Sequence, residues 1–174
     1  MLNRIVLFFV FLGIFSASFA IGAEVQVSEE DSAIILEELE SLIGEIDAVG
    51  IFGHNTLLAL PMFIPGFGIA WGAFAAFSTG MAFSVLQDAN PMLANIPSLT
   101  ILFMSPFGLM EIAAYSIAMS RSYMIVHKMI KRMPIRPDLR VIGLEVAILV
   151  GLLLAGGFLE YYFIENLPTD MPQI

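Results

Sequence analysis

Residues 51–86 read IFGHNTLLALPMFIPGFGIAWGAFAAFSTGMAFSVL, the longest apolar tract of the chain. How often this tract crosses a membrane decides the fold. It is too long for one straight span of about 20 residues, and it is interrupted by Pro61 and by Pro65-Gly66-Phe67-Gly68. Proline has no N–H to give to the helix ladder and glycine relaxes it, so a turn or kink belongs at 65–68. We read two helices, 51–64 and 67–87. The first is short for a full crossing, which fits a half-helix or a strongly tilted one.

The composition around the tract says why a membrane is the right solvent. Of 174 residues, 59% are apolar and 13% charged, and the mean hydropathy is +0.90. Soluble domains are about 45–50% apolar and about 25% charged, so a water-soluble globule, a disordered chain and a free nucleic-acid binder are excluded. There are no cysteines, which removes disulfides, Cys-ligated zinc, iron–sulfur clusters and thiol catalysis.

Three further apolar runs complete the set. Ile5–Ile21 follows Asn3 and Arg4, and Ser18-Phe19-Ala20 has the small-x-small form of a signal-peptide cleavage site. A cleaved leader and a retained anchor both fit. Past a turn at Asp88-Ala89-Asn90-Pro91, spans are expected over 98–118 and 141–164. The expected fold is an all-α integral membrane bundle of five helices, or four if the first is removed. Its parts are a leader or anchor (1–23), an acidic outer segment (24–49) and a membrane domain (50–174).

Charge supports the double pass through 51–87. The chain has 7 basic and 16 acidic residues, net −9. Five crossings with the N-terminus inside place Arg4, Arg121, Lys128, Lys131, Arg132, Arg136 and Arg140 all on the cytoplasmic side. Most acids then lie outside, from Glu24 to Asp47 and at Asp88, Glu165 and Asp170, as the positive-inside rule requires. The expected location is the plasma membrane, with the C-terminus outside. A single pass would put Arg4 and the basic loop on opposite faces.

Ser28-Glu29-Glu30-Asp31 opens an acidic helix, with Ser28 as N-cap and acids in the first turn favoured by the dipole. Ile35, Leu36, Leu39, Leu42, Ile43 and Ile46 form its apolar stripe. Acidity opposes docking on anionic lipid, so the stripe packs on the protein's own outer loops or on a partner helix. The basic segment 119–140 reads as a juxtamembrane helix, with Arg121, Lys128, Lys131 and Arg132 meeting lipid phosphates. Tyr161 and Tyr162 suit an interfacial aromatic belt.

Small residues recur at every fourth position in two spans: Gly68, Gly72, Ala76, Gly80 and Ser84, then Gly143, Ala147, Gly151 and Ala155. Such stripes let helix backbones approach closely where lipid supplies no hydrophobic drive. The contact is internal or to another subunit.

Glu111 stands inside the fourth span, where an ionisable group is a functional candidate by default. Gly108, Ala114 and Ala118 share its face, which points it into the bundle. Its depth matches the Pro65–Gly68 break, so it is expected to cap that broken helix end. A structural interhelical clamp is the simpler role, and proton or ion handling the alternative. His54 and Asn55 fall at the outer end of the second span, out of direct reach of Glu111 unless that helix inserts deeply. Glu145 and Glu160 fall near the two ends of the last span, where carboxylates reach the interface. No metal ligand set, cofactor motif, nucleophile–base set or phosphate-cradling loop is present, so a catalytic role is not expected.

The stretch Pro106-Phe107-Gly108-Leu109-Met110-Glu111-Ile112-Ala113-Ala114 resembles the stage II sporulation protein M family, whose signature there is a Pro-His-Gly-x-x-Glu-Leu-Pro-Ala-like run. Pro106, Gly108, Glu111 and Ala114 match; Phe107 and Ala113 replace the family's His and Pro. Asn55, the glycine-rich helix with Thr79-Gly80 in place of Asn-Gly, and Glu160 follow the family's order. The resemblance covers residues 5–165. It implies a membrane scaffold that recruits other proteins, and loss of the motif His favours a structural Glu111. The expected function is a non-catalytic assembly or accessory subunit, in contact with lipid and with other integral membrane proteins or copies of itself, and not with nucleic acid. A small transporter or channel using the broken helix and Glu111 is the alternative.

Overall fold

The computed structural model describes residues 3–45, 47–91 and 93–166, all of them helix or connecting turns. The helices are α1 (Arg4–Ala23), α2 (Glu29–Glu45), α3 (Ala48–Ala59), α4 (Phe67–Ala89), α5 (Ser98–Met104), α6 (Pro106–Ile130) and α7 (Leu139–Glu165), with 3₁₀ turns at Leu60–Phe63 and Arg136–Asp138. Among the described residues, three segments are each long and apolar enough to cross a membrane: Arg4–Ala23, Phe67–Ala89 and Arg136–Glu165.

The core forms where α1 lies along α4 and α6. Leu7, Phe11, Phe15 and Phe19, one helical turn apart, are buried there. The small residues of α4 face the same seam. A Cβ on Gly80 would stand 2.0 Å from the Phe19 carbonyl oxygen, and one on Gly22 2.0 Å from that of Phe77. Glycine at both positions lets the backbones touch, and a larger side chain would drive them apart.

The 51–86 tract divides where the residues predict. Pro61 opens the 3₁₀ turn, and Gly66 takes φ +79, a left-handed conformation that glycine adopts without a Cβ penalty. The chain reverses there: Gly68 packs on the Met62 carbonyl, and the Trp71 indole N–H donates to the Leu58 carbonyl oxygen at 2.9 Å.

The expected span 98–118 is not one straight helix. α5 and α6 meet at 89°, because Ser105 caps the new helix through Gly108 N (3.1 Å) and Pro106 takes its first position, where no N–H is needed. Nor does the helix end at Ala118. It runs on to Ile130, so the first part of the expected juxtamembrane helix continues α6. Its end is a Schellman-type turn in which Met133 N donates to the Lys128 carbonyl at 2.9 Å, with Arg132 at φ 52.

α2 begins as its sequence predicts, with Ser28 Oγ accepting from Asp31 N at 3.2 Å. It lies on α4, leaving Ile35, Leu36 and Leu39 partly covered and Ile34 exposed. The side chains of Leu42 and Ile43, with Ile46 and Asp170, fall outside the described residues.

Candidate functional site

α6 is the polar spine of the molecule. Three groups of hydrogen-bonded side chains line up along it, each joining it to a different neighbour.

The first is centred on Glu111. Its Oε1 accepts from Asn55 Nδ2 of α3 at 2.7 Å. Glu160 of α7 stands close enough to interact electrostatically with both Glu111 and Tyr115. Three polar residues far apart in the chain thus converge where α3, α6 and α7 meet. The expectation that Asn55 lies out of reach of Glu111 is overturned, because α3 packs along α7 and brings Asn55 against α6. It starts at Ala48, against α7, where Gly157 leaves room for the Ala48 carbonyl and the Phe52 N–H. Two helical turns later Asn55 is level with Glu111. His54, its neighbour, is exposed and takes no part.

The second group corrects the capping expectation. Ser122, not Glu111, holds the broken end of the 51–86 tract. Its hydroxyl accepts from Gly66 N at 3.1 Å and donates to the Ile64 carbonyl oxygen at 2.7 Å. Glu111 stands three helical turns away along α6, too far to reach either group. A small hydroxyl suits this role because it can donate and accept at once.

The third group is a buried ion triad. Glu145 accepts from Arg121 Nε (2.5 Å) and Nη2 (2.7 Å) and from Arg4 Nε (2.8 Å). The rest of the Arg4 guanidinium bonds Ser120 Oγ and the Ile117 carbonyl oxygen. The Arg121 side chain is 3% exposed, that of Glu145 11% and that of Arg4 29%. Two expectations fall here. Arg121 does not face lipid phosphate, and Glu145 does not reach out to the interface. Each satisfies the other, as a buried charge must. The triad ties the first turn of α1 to α6 and α7.

Lys128, also expected at lipid phosphate, pairs with Asp138 at 2.5 Å across the turn that follows α6. Lys131 and Arg132 are exposed.

The two small-residue stripes part company. Gly68, Gly72, Ala76, Gly80 and Ser84 are all buried inside the fold. Gly143, Ala147, Gly151 and Ala155 all lie on the outer face of α7, and a Cβ on Gly143 or Gly151 would meet nothing within 4 Å. The glycines α7 turns inward are Gly156 and Gly157. Pro106 and Gly108 hold the α5–α6 corner, where Gly108 packs against Ser105 and the Leu102 carbonyl.

Reading the residues in order overlooks Ser122, and it overlooks Arg4 and Glu145 as partners. For the triad a signal existed: Arg121 and Glu145 are opposite charges flanking the hairpin between α6 and α7. For Ser122 there was none, since serine is common in helices.

Among the described residues, no group of three or more His, Cys, Asp or Glu side chains is placed to hold a metal ion. A shallow groove of about 420 Å³ opens between α3 and α7, lined by Asp47, Val49, Phe158, Tyr161, Tyr162 and Glu165. The chain matches no protein-family model, no curated protein and no solved structure.

Proposed function

We propose that this protein is a non-catalytic assembly or accessory subunit of a larger complex in the cell membrane. In this reading it crosses five times, through α1, α3 with its 3₁₀ turn, α4, α6 and α7. Arg4 and the turn after α6 are cytoplasmic, and α2 is outside. The residues 48–63 make a helical path of roughly 24 Å at 1.5 Å per residue, shorter than the hydrocarbon core of about 30 Å. Packing between α6 and α7 covers that shortfall.

The observation that carries the reading is the outer stripe of α7. Inside the fold, the same pattern on α4 brings backbones into contact. On α7 it is presented to the outside with open space beside it. In lipid, small side chains on an outward face let a further helix approach closely. The polar groups inside the fold support a structural role in turn, since the triad and Ser122 each bond helix to helix. The resemblance to the sporulation protein M family points the same way, and two of its positions, Asn55 and Glu111, are bonded to each other.

A test is purification of the native protein in mild detergent, with an integral membrane protein or a second copy co-purifying. Gly151→Leu should release that partner and leave the protein folded. A lone monomer that carries ions across liposomes would overturn the proposal. That outcome would favour the transporter or channel reading, for which the meeting of Asn55, Glu111 and Glu160 is the supporting observation.

A further inference from the structure

The seven basic residues, alike in sequence, fall into two groups in the structure. Arg4 and Arg121 are bonded to Glu145, and Lys128 to Asp138. Lys131, Arg132, Arg136 and Arg140 are exposed and form no ion pair among the described residues. Asp138 is the only acid between Glu111 and Glu145, and Lys128 already occupies it. Among the described residues, the remaining four cations have no internal counter-charge.

Their place in the fold is distinctive. At this end of the molecule α1 starts at Arg4, which bonds Ser120, and α4 starts beside Ser122. α6 stays packed through Ile125 and Val126, the latter beside Gly66, and runs on to Ile130, roughly 6 Å further, while α7 runs from Leu139 to Glu145, roughly 9 Å, at 1.5 Å per residue. The α6–α7 hairpin therefore stands proud of its neighbours by about the depth of a bilayer's headgroup layer, which is on the order of 5–8 Å. Apolar side chains on the projecting part lie uncovered: Ile130 is 74% exposed, Leu139 61% and Met129 55%. A hairpin standing free in water would not gain from that arrangement. One lying within the headgroup layer would, with apolar side chains dipping toward the acyl chains and cationic heads at phosphate level. The Schellman-type end of α6 sets Lys131 and Arg132 together at the turn, where the negative end of the helix dipole also favours cations.

We infer that the tip of the α6–α7 hairpin, through Lys131, Arg132, Arg136 and Arg140, is a docking surface for anionic phospholipid headgroups of the leaflet it faces. The inference rests on the membrane placement proposed above and not on the assembly role. It is tested on the full-length protein reconstituted in vesicles of equal phosphatidylglycerol and phosphatidylcholine, extracted gently, with retained lipids counted by native mass spectrometry. Phosphatidylglycerol should be enriched in the wild-type protein by about threefold to tenfold, given the attraction of each basic residue to an anionic surface. The variant carrying Lys131→Gln, Arg132→Gln, Arg136→Gln and Arg140→Gln should return to the ratio of the mixture. Its helical circular dichroism should be unchanged, because all four side chains are exposed. High salt should lower the wild-type enrichment and leave the variant where it is. Equal enrichment in both proteins would overturn the inference. So would a wild-type protein without enrichment, which would assign the surface to a protein instead. Gly151→Leu leaves all four charges in place, so loss of the lipid preference and loss of the assembly partner are separable results.

Discussion

α4 and α7 carry the same motif, a small side chain at every fourth position, and use it in opposite ways. On α4 the stripe is buried, and a Cβ at Gly80 would collide with backbone atoms of α1. On α7 the stripe is outside, and Cβ atoms at Gly143 and Gly151 would meet nothing. A small-residue stripe therefore marks a face that can accept a helix without saying which helix. The difference comes from what competes for each face. α4 sits between α1 and α6, whereas α7 turns its Glu145, Leu149, Leu153 and Gly156/Gly157 face toward α3 and α6. The stripe is left on the other side.

The strongest way to break this comparison is to put the same side chain on both stripes. Gly80→Leu should abolish folding, since the α1–α4 backbone contact cannot relax around four added carbons. Overpacking costs about 1–3 kcal/mol even where only side chains must move. Loss of a monodisperse peak in size-exclusion chromatography would report it. A folded Gly80→Leu protein would mean that α1 does not lie where it is described.

Next in size is the triad that anchors α1 from its other end. Glu145→Gln leaves two arginines with a neutral acceptor. Removing one partner of a buried ion pair costs about 3–5 kcal/mol, so the thermal midpoint should fall by several degrees or more. Replacing both Arg121 and Glu145 with apolar residues should restore part of the loss, because the only cation then left without its carboxylate is Arg4, the most exposed member of the triad.

A smaller effect is expected at the α3–α6 contact. Hydrogen bonds between membrane helices are worth about 0.6 kcal/mol and rarely above about 1.7. Asn55→Ala should therefore lower the thermal midpoint only slightly, while His54→Ala, at an exposed position, should not change it. A large loss from Asn55→Ala, in ion flux or in assembly but not in stability, would give the Asn55–Glu111–Glu160 cluster a role beyond packing. Gly151→Leu should also change stability little, within about 0.5 kcal/mol as for other outward substitutions. Its expected consequence is loss of a partner in co-purification.

Much of the architecture was legible because single residues dictate it. Pro61 and Pro65-Gly66 divide the long tract whatever surrounds them, since one lacks an N–H and the other accepts positive φ. The start of α2 follows from Ser28 and its acids. The corner at Ser105-Pro106 has the same kind of local signal, a cap followed by Pro at the first position, but it was masked by an apolar run that read as one span. Convergence of Asn55, Glu111 and Glu160 was less accessible. Each stood out as a polar residue in an apolar setting, yet their depths depend on where α3 begins and on the room that Gly157 leaves for it.

What the sequence determined by itself is the solvent and the punctuation. Too few charges for its apolar surface, with three described helices long and apolar enough to cross a bilayer, fit a membrane protein, and prolines, glycines and caps set where helices turn. Tertiary structure alone decided which like residues do which job. Arg121 is sealed against Glu145 while Arg132 is exposed; Gly80 is locked against α1 while Gly151 is open. The reason is physical. Turns and caps depend on atoms within a few residues of one another, whereas the pairing of a charge or the covering of a glycine depends on which helix arrives beside it, and neighbours in space are not neighbours in the chain.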